Sequence, residues 1–126
     1  MFKKNMPQKR VVIAGCRDYN NYVEAKAYID RCLSSIRLEN NIIIISGGAR
    51  GADALGERYA RENGFKVERY PADWDTYGKS AGPRRNKQMA EVCDCAICFW
   101  DGQSRGTASM IEFAKQLGKP VRVKRI

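Results

Sequence analysis

The chain has 126 residues, enough for one domain and too few for two, and 44% of them are hydrophobic, enough for a real core. The net charge of +9 comes from the two ends: residues 1–10 hold Lys3, Lys4, Lys9 and Arg10 with no acid, residues 115–126 hold Lys115, Lys119, Arg122, Lys124 and Arg125 with none, and the stretch between nets zero. The longest aliphatic run is Ile42–Ile45, far short of the ~20 residues of a membrane helix, and no histidine is present for a Ser-His-Asp or Cys-His system, a His-ligated zinc or an imidazole base.

In chain order, residues 1–9 read as a basic tail without the apolar segment of a secretory signal. Arg10–Ala14 (RVVIA) is a short buried strand opening at Gly15, and Asn21–Leu38 carries a helical apolar stripe. Ile42–Ser46 is a β-branched strand entering Gly47-Gly48, and Ala52–Asn63 is a helix stopped by Gly64. Lys66–Tyr70 is a third strand ended by Pro71. Residues 71–82 (PADWDTYGKSAG) read as a structureless loop, unusually long for a compact domain. A helix over Pro83–Val92, a strand over Asp94–Trp100, a helix over Thr107–Leu117 and a strand over Pro120–Lys124 complete the chain. The alternation predicts an α/β fold: one three-layer Rossmann-like domain spanning 1–126, with a five-stranded, mostly parallel sheet. The five cysteines lack disulfide-scaffold spacing, which fits a reducing cytoplasm. Alternation along the fourth strand puts Cys95 and Cys98 on opposite faces, so they read as small buried hydrophobes rather than metal ligands.

Ligands of open parallel sheets bind at the carboxyl ends of the strands. After the second strand, Gly47, Gly48, Arg50, Gly51 and Asp53 read either as an anion cradle of exposed backbone N–H groups at a helix start or as a plain glycine-rich turn with Asp53 as a cap. After the fourth, Asp101, Gly102, Ser104, Gly106 and Thr107 form a second small-residue loop, with Ser104 or Thr107 as cap or phosphate ligand. After the first, Gly15 leads to Arg17, whose planar fork suits a phosphate or a pairing with Asp18. Adjacent Arg84 and Arg85, before Asn86, stand at a helix N-terminus where positive charge is unfavourable, a conflict that points to an anionic partner. Trp74 in the long loop either anchors it or stacks on a base.

The segments IISGGARGAD, PADWDTYGKSAGPRRNKQM and FWDGQSRGTASMI resemble the YspA-like branch of the SLOG superfamily, over about residues 11–124. The resemblance implies a Rossmann-like fold, a bound nucleotide, nucleotide-derived signal or single-stranded DNA, no cofactor, and a homo-oligomer, commonly a dimer. Against the LOG phosphoribohydrolases, Arg85 falls on the catalytic arginine of the HxRK segment, while Asn86 replaces its lysine. Gly106 and Thr107 match the GT of PGGxGTxxE, but Ser109 stands where the first glutamate belongs and Glu112 lies a helical turn on. Binding is therefore carried over before catalysis. The expectation is a nucleotide-phosphate binding domain acting as a sensor or accessory module. An N-glycosidase using Arg85 with Asp101 or Glu112 is the alternative, and single-stranded nucleic acid held by the basic ends is a second.

Overall fold

The computed structural model describes residues 3–126. Five strands, β1 (Gln8–Gly15), β2 (Asn41–Ser46), β3 (Lys66–Arg69), β4 (Cys95–Trp100) and β5 (Val121–Arg125), form one sheet in the order β3-β2-β1-β4-β5. Every pairing is parallel, so the sheet is wholly rather than mostly parallel. The chain runs outward from β1 through β2 to β3, then returns to place β4 against the other side of β1. The order therefore reverses between β1 and β4, where the chain leaves a crevice at the strands' carboxyl ends.

Alternation along the three central strands builds two cores. Val11, Ile13, Ile42, Ile44, Ile97 and Phe99 face α1 (Tyr22–Leu33) and α3 (Ala52–Asn63). Val12, Ala14, Ile43, Ile45, Ala96 and Cys98 face α5 (Ala81–Val92) and α6 (Arg105–Gln116). Because helices cover both faces, these strands are continuous apolar runs. Cys95 and Cys98 do fall on opposite faces, and burial pushes their thiols up to about 11 and about 12.

Four boundaries differ from the sequence expectation. The helix expected over 21–38 is split into α1 and the short α2 (Ile36–Glu39), because Ser34-Ser35 interrupts it. Residues 71–82 are not structureless: Asp73 accepts a hydrogen bond from Thr76 N (3.1 Å) and caps α4 (Trp74–Tyr77), and a 3₁₀ turn over Gly78–Ser80 leads into α5. α5 begins two residues before Pro83, which is tolerated in the first turn, where N–H groups have no intrahelical partner. Nor do residues 3–9 form a free tail: Lys3 N donates to Asn41 Oδ1 (2.6 Å), and Gln8 and Lys9 already belong to β1. Met1 and Phe2 lie outside the described residues. No helix of the described residues is long and apolar enough to cross a membrane.

Candidate functional site

The crevice between β1 and β4 opens into a cavity of about 410 Å³. Its walls include Gly15 and Arg17 after β1, Arg50 and Asp53 at the start of α3, Arg85 and Asn86 of α5, and Asp101, Ser104, Gly106 and Thr107 around the start of α6. A second cavity, of about 590 Å³, lies beside it over the β2–α3 loop and takes in Gly47, Gly48 and Trp74. Arg17, Ala49, Arg50 and Arg85 line both. Four residues singled out in the sequence line neither: Arg84 is exposed, donating to Ser80 Oγ (3.2 Å) with its guanidinium over the Tyr77 ring, and the others are Gly51, Gly102 and Glu112. Gly51 (φ +76°) backs onto the carbonyls of Cys16 and Arg17, where any side chain would collide. Gly102 lies under the Arg125 guanidinium, and Glu112 is exposed on α6, accepting from Gln116 Nε2 (3.2 Å).

The β2–α3 loop is braced from beneath. Ser46 Oγ donates to Glu57 Oε2 (2.6 Å) and accepts from Gly48 N (3.1 Å). Glu57, buried on α3, also takes a two-pronged hydrogen bond from Arg69 at the end of β3. Burial works against the Glu57 charge, but the hydrogen bonds from Arg69 and Ser46 outweigh it and hold the carboxyl below its usual value. Asp53 Oδ2 accepts from Ala49 N (3.1 Å). For this carboxyl burial dominates and pushes its pKa up, against the Ala49 N–H and the Arg85 charge. The loop was read either as an anion cradle or as a glycine-rich turn with Asp53 as a cap. Two of its backbone donors, Gly48 N and Ala49 N, are taken by Ser46 and Asp53, since the strand end and the first helical turn place those acceptors directly below them.

The α6 loop behaves similarly. Asp101 Oδ1 accepts from both Gln103 N and Ser104 N at 2.8 Å, which holds its carboxyl below the usual range. Ser104 caps the helix by accepting from Thr107 N. The cationic side chains that line the crevice are Arg17, Arg50 and Arg85. Arg85 is half-buried: its Nη1 donates to Gly47 O (2.6 Å) and its Nε to Asn86 Oδ1 (3.1 Å), leaving Nη2 without a protein partner among the described residues. No buried side-chain nitrogen or oxygen among the described residues lacks a partner, so Nη2 is reached by solvent, in a residue that lines the crevice. Burial lowers the Arg85 pKa, with Asp53 opposing and the Arg17 charge adding to the effect. Asn86 Nδ2 donates to Gly106 O (3.1 Å) and ties α5 to the start of α6. Arg50 reaches Asp18 at 3.6 Å, an exposed and weak pairing.

Sequence reasoning missed Cys16, Asp18, Met89 and Met110 in the first cavity and Arg69, Pro71 and Ala72 in the second. It also missed Glu57. The available signal was that Asp53 and Glu57 lie one turn apart on the face of α3 that also carries buried Ala60.

Several known proteins resemble this chain. DNA processing protein A (DprA) of Streptococcus pneumoniae superposes with a TM-score of 0.69 at 20% identity, over 93% of this chain and 50% of that one. DNA processing protein A of Helicobacter pylori, described for its single-stranded DNA binding mode, superposes with a TM-score of 0.65 at 22% identity, over 97% of this chain and 68% of that one. These likenesses establish the fold, and the chain spans only half the length of the pneumococcal protein. The Gene 61 protein of Mycobacterium phage D29 is 40% identical over 86 residues, 64% of this chain and 69% of the phage protein. Residues 9–77, from β1 through α4, match the model of the YspA, cpYpsA-related SLOG family, and the chain belongs to that family.

Proposed function

We infer that the crevice binds a nucleotide or nucleotide-derived phosphate ligand, and that the domain serves as a sensor or accessory module. The observation that carries this reading is Arg85: a half-buried guanidinium fixed by Gly47 O and Asn86, with its third nitrogen unpaired, lining a crevice that Arg17 and Arg50 also line. A cation held rigidly in a partly dry site is suited to a charge-assisted hydrogen bond with phosphate. Membership of the SLOG family supports nucleotide-derived chemistry for the anion. Isothermal titration with the four common 5′-nucleoside monophosphates tests it. At least one is expected to bind, and Arg85→Ala is expected to weaken it about 10–100-fold, the worth of a charged hydrogen bond. Wild-type affinity in a folded Arg85→Ala protein removes Arg85 from the site.

A hydrolytic reading keeps one specific support, that Asp101 and Asp53 line the same cavity as Arg85. Glu112 is outside it, so an N-glycosidase here would rest on one of those aspartates. It predicts release of free base from a bound monophosphate. Binding of single-stranded nucleic acid through the chain ends has less behind it, because several of those charges are engaged. Arg10 pairs with Glu68 (2.9 Å), Lys119 Nζ donates to the carbonyls of Glu91 and Cys93, and Arg125 Nη2 donates to Asp101 O.

A further inference from the structure

The two cavities at the crevice differ in charge although they share Arg17, Arg50 and Arg85. The one between β1 and β4 adds Asp18, Asp53 and Asp101 to those arginines, so its walls carry three cations and three carboxyl groups. The one over the β2–α3 loop adds Arg69 and no acid at all. Its remaining walls are the glycines and Ala49 of the loop, Pro71, Ala72 and Trp74. Arg69 is compensated by Glu57, and Arg50 is only loosely paired with Asp18 across the rim. Arg17 and Arg85 line both spaces; the nearest carboxylate to the loop cavity, Asp53, lies beneath the loop with Oδ2 taken by Ala49 N, and is not among that cavity's walls. A neutral sugar or base is no match for such walls; an anion is. Trp74 also lines it, 49% exposed and with its ring edge against Gly82, where an added Cβ would sit 3.3 Å from it.

We propose that the cavity over the β2–α3 loop is a second anionic subsite, so that the ligand carries at least two phosphates: a nucleoside diphosphate or a nucleoside-diphosphate conjugate that lies across Arg17 and Arg85 with one end in each cavity. The proposal rests on the nucleotide-binding reading above and narrows it. Two phosphates joined by one bridging oxygen place two negative charges on either side of a shared pair of guanidinium groups. Arg69, held in position by Glu57, then bounds the outer phosphate. The half-exposed Trp74 ring is placed where a conjugate's second group would leave the diphosphate.

The test compares, on the full chain by titration calorimetry, the mono- and diphosphate of each common nucleoside, together with ADP-ribose. For the base that binds, the diphosphate or the conjugate is expected to be at least tenfold tighter than the monophosphate. Tighter binding of the free diphosphate identifies a terminal phosphate as the outer group, and tighter binding of ADP-ribose identifies a diester; each supports the subsite. Ala72→Glu, which puts a carboxylate into the four-arginine cavity only, is expected to erase the gain while moving monophosphate affinity less than about threefold. Trp74→Ala, at an exposed site, supplies a second variant if Ala72→Glu melts early, and is expected to reduce the preference for ADP-ribose over the monophosphate. Equal affinity for the monophosphate, the diphosphate and ADP-ribose overturns the subsite and leaves the monophosphate reading intact. A gain that survives Ala72→Glu overturns it too, and failure of every nucleotide to bind overturns both readings.

Discussion

The two glycine-containing loops at the sheet's carboxyl edge look alike in sequence and are held in opposite ways. The β2–α3 loop rests on buried ionisable groups, Asp53 and Glu57, with Ser46 between strand and helix and Arg69 brought from β3. The α6 loop is held mainly by its own residues: Asp101 accepts from two backbone N–H groups, and Trp100 Nε1 donates to Ser104 O (3.0 Å), with Asn86 and Arg125 adding single bonds to the carbonyls of Gly106 and Asp101. The first arrangement rests on buried charged side chains, while the second rests mainly on a local turn. Similar glycine spacing therefore says little about how rigid a loop is; the acceptors beneath it decide that.

Breaking the buried brace has the largest expected effect. Glu57→Ala removes the acceptor of both Ser46 and Arg69, and is expected to cost about 2–3 kcal/mol, less than a fully buried pair because Arg69 is largely exposed. Chemical denaturation reads this directly. The same group gives a pH signature. Its carboxyl sits below its ordinary value near 4.5, so its contribution is fully present above that value and is lost as pH falls through the depressed folded value. Glu57→Gln should flatten the acid limb of the stability curve in that window, and an unchanged acid limb would show that the brace is not electrostatic.

Gly47→Ala sharpens the contrast at a smaller scale. A Cβ there would run into the Arg85 guanidinium, 2.9 Å from its Cζ and from Asp53 Oδ2. Arg85 must give way, because Gly47 is buried against it. The expected result is a loss of about 1 kcal/mol in stability with at least a tenfold loss in phosphate affinity. A melting temperature that falls while affinity holds would separate Arg85 from the ligand.

The surface-held loop should be the most forgiving. Asp101→Ala frees two backbone donors that water can reach, and is expected to lower the melting temperature least of these variants. A thermal melt reads the shift. A loss as large as that of Glu57→Ala would erase the distinction between the loops.

The sheet, its strand count and the glycine loops were legible because Val11–Ala14, Ile42–Ile45 and Ala96–Phe99 are buried on both faces and leave no polar alternation to confuse them. The segment 71–82 was not, because α4 is only four residues and depends on a single cap, Asp73, rather than on a periodic apolar face. At the site, glycines and arginines announced themselves by composition. The partner of each backbone donor did not, since whether Gly48 N meets a ligand or Ser46 depends on a side chain two residues away that the chain must first turn to reach. The parallel character followed from the alternation, but the strand order β3-β2-β1-β4-β5 comes from the three-dimensional return of the chain to β1, which no local pattern records.

Arg85 grows from the α5–α6 layer, whereas Gly47 and Asp53 belong to the strand end and helix on the other side of the sheet. The Nη1–Gly47 bond is thus a stitch between two layers rather than a contact within one. A ligand that draws the guanidinium outward loosens that stitch, and one that packs against it tightens it. Under the proposed reading, a ligand in the crevice would act on the attachment of α5 to the end of β2 as well as on its own contacts.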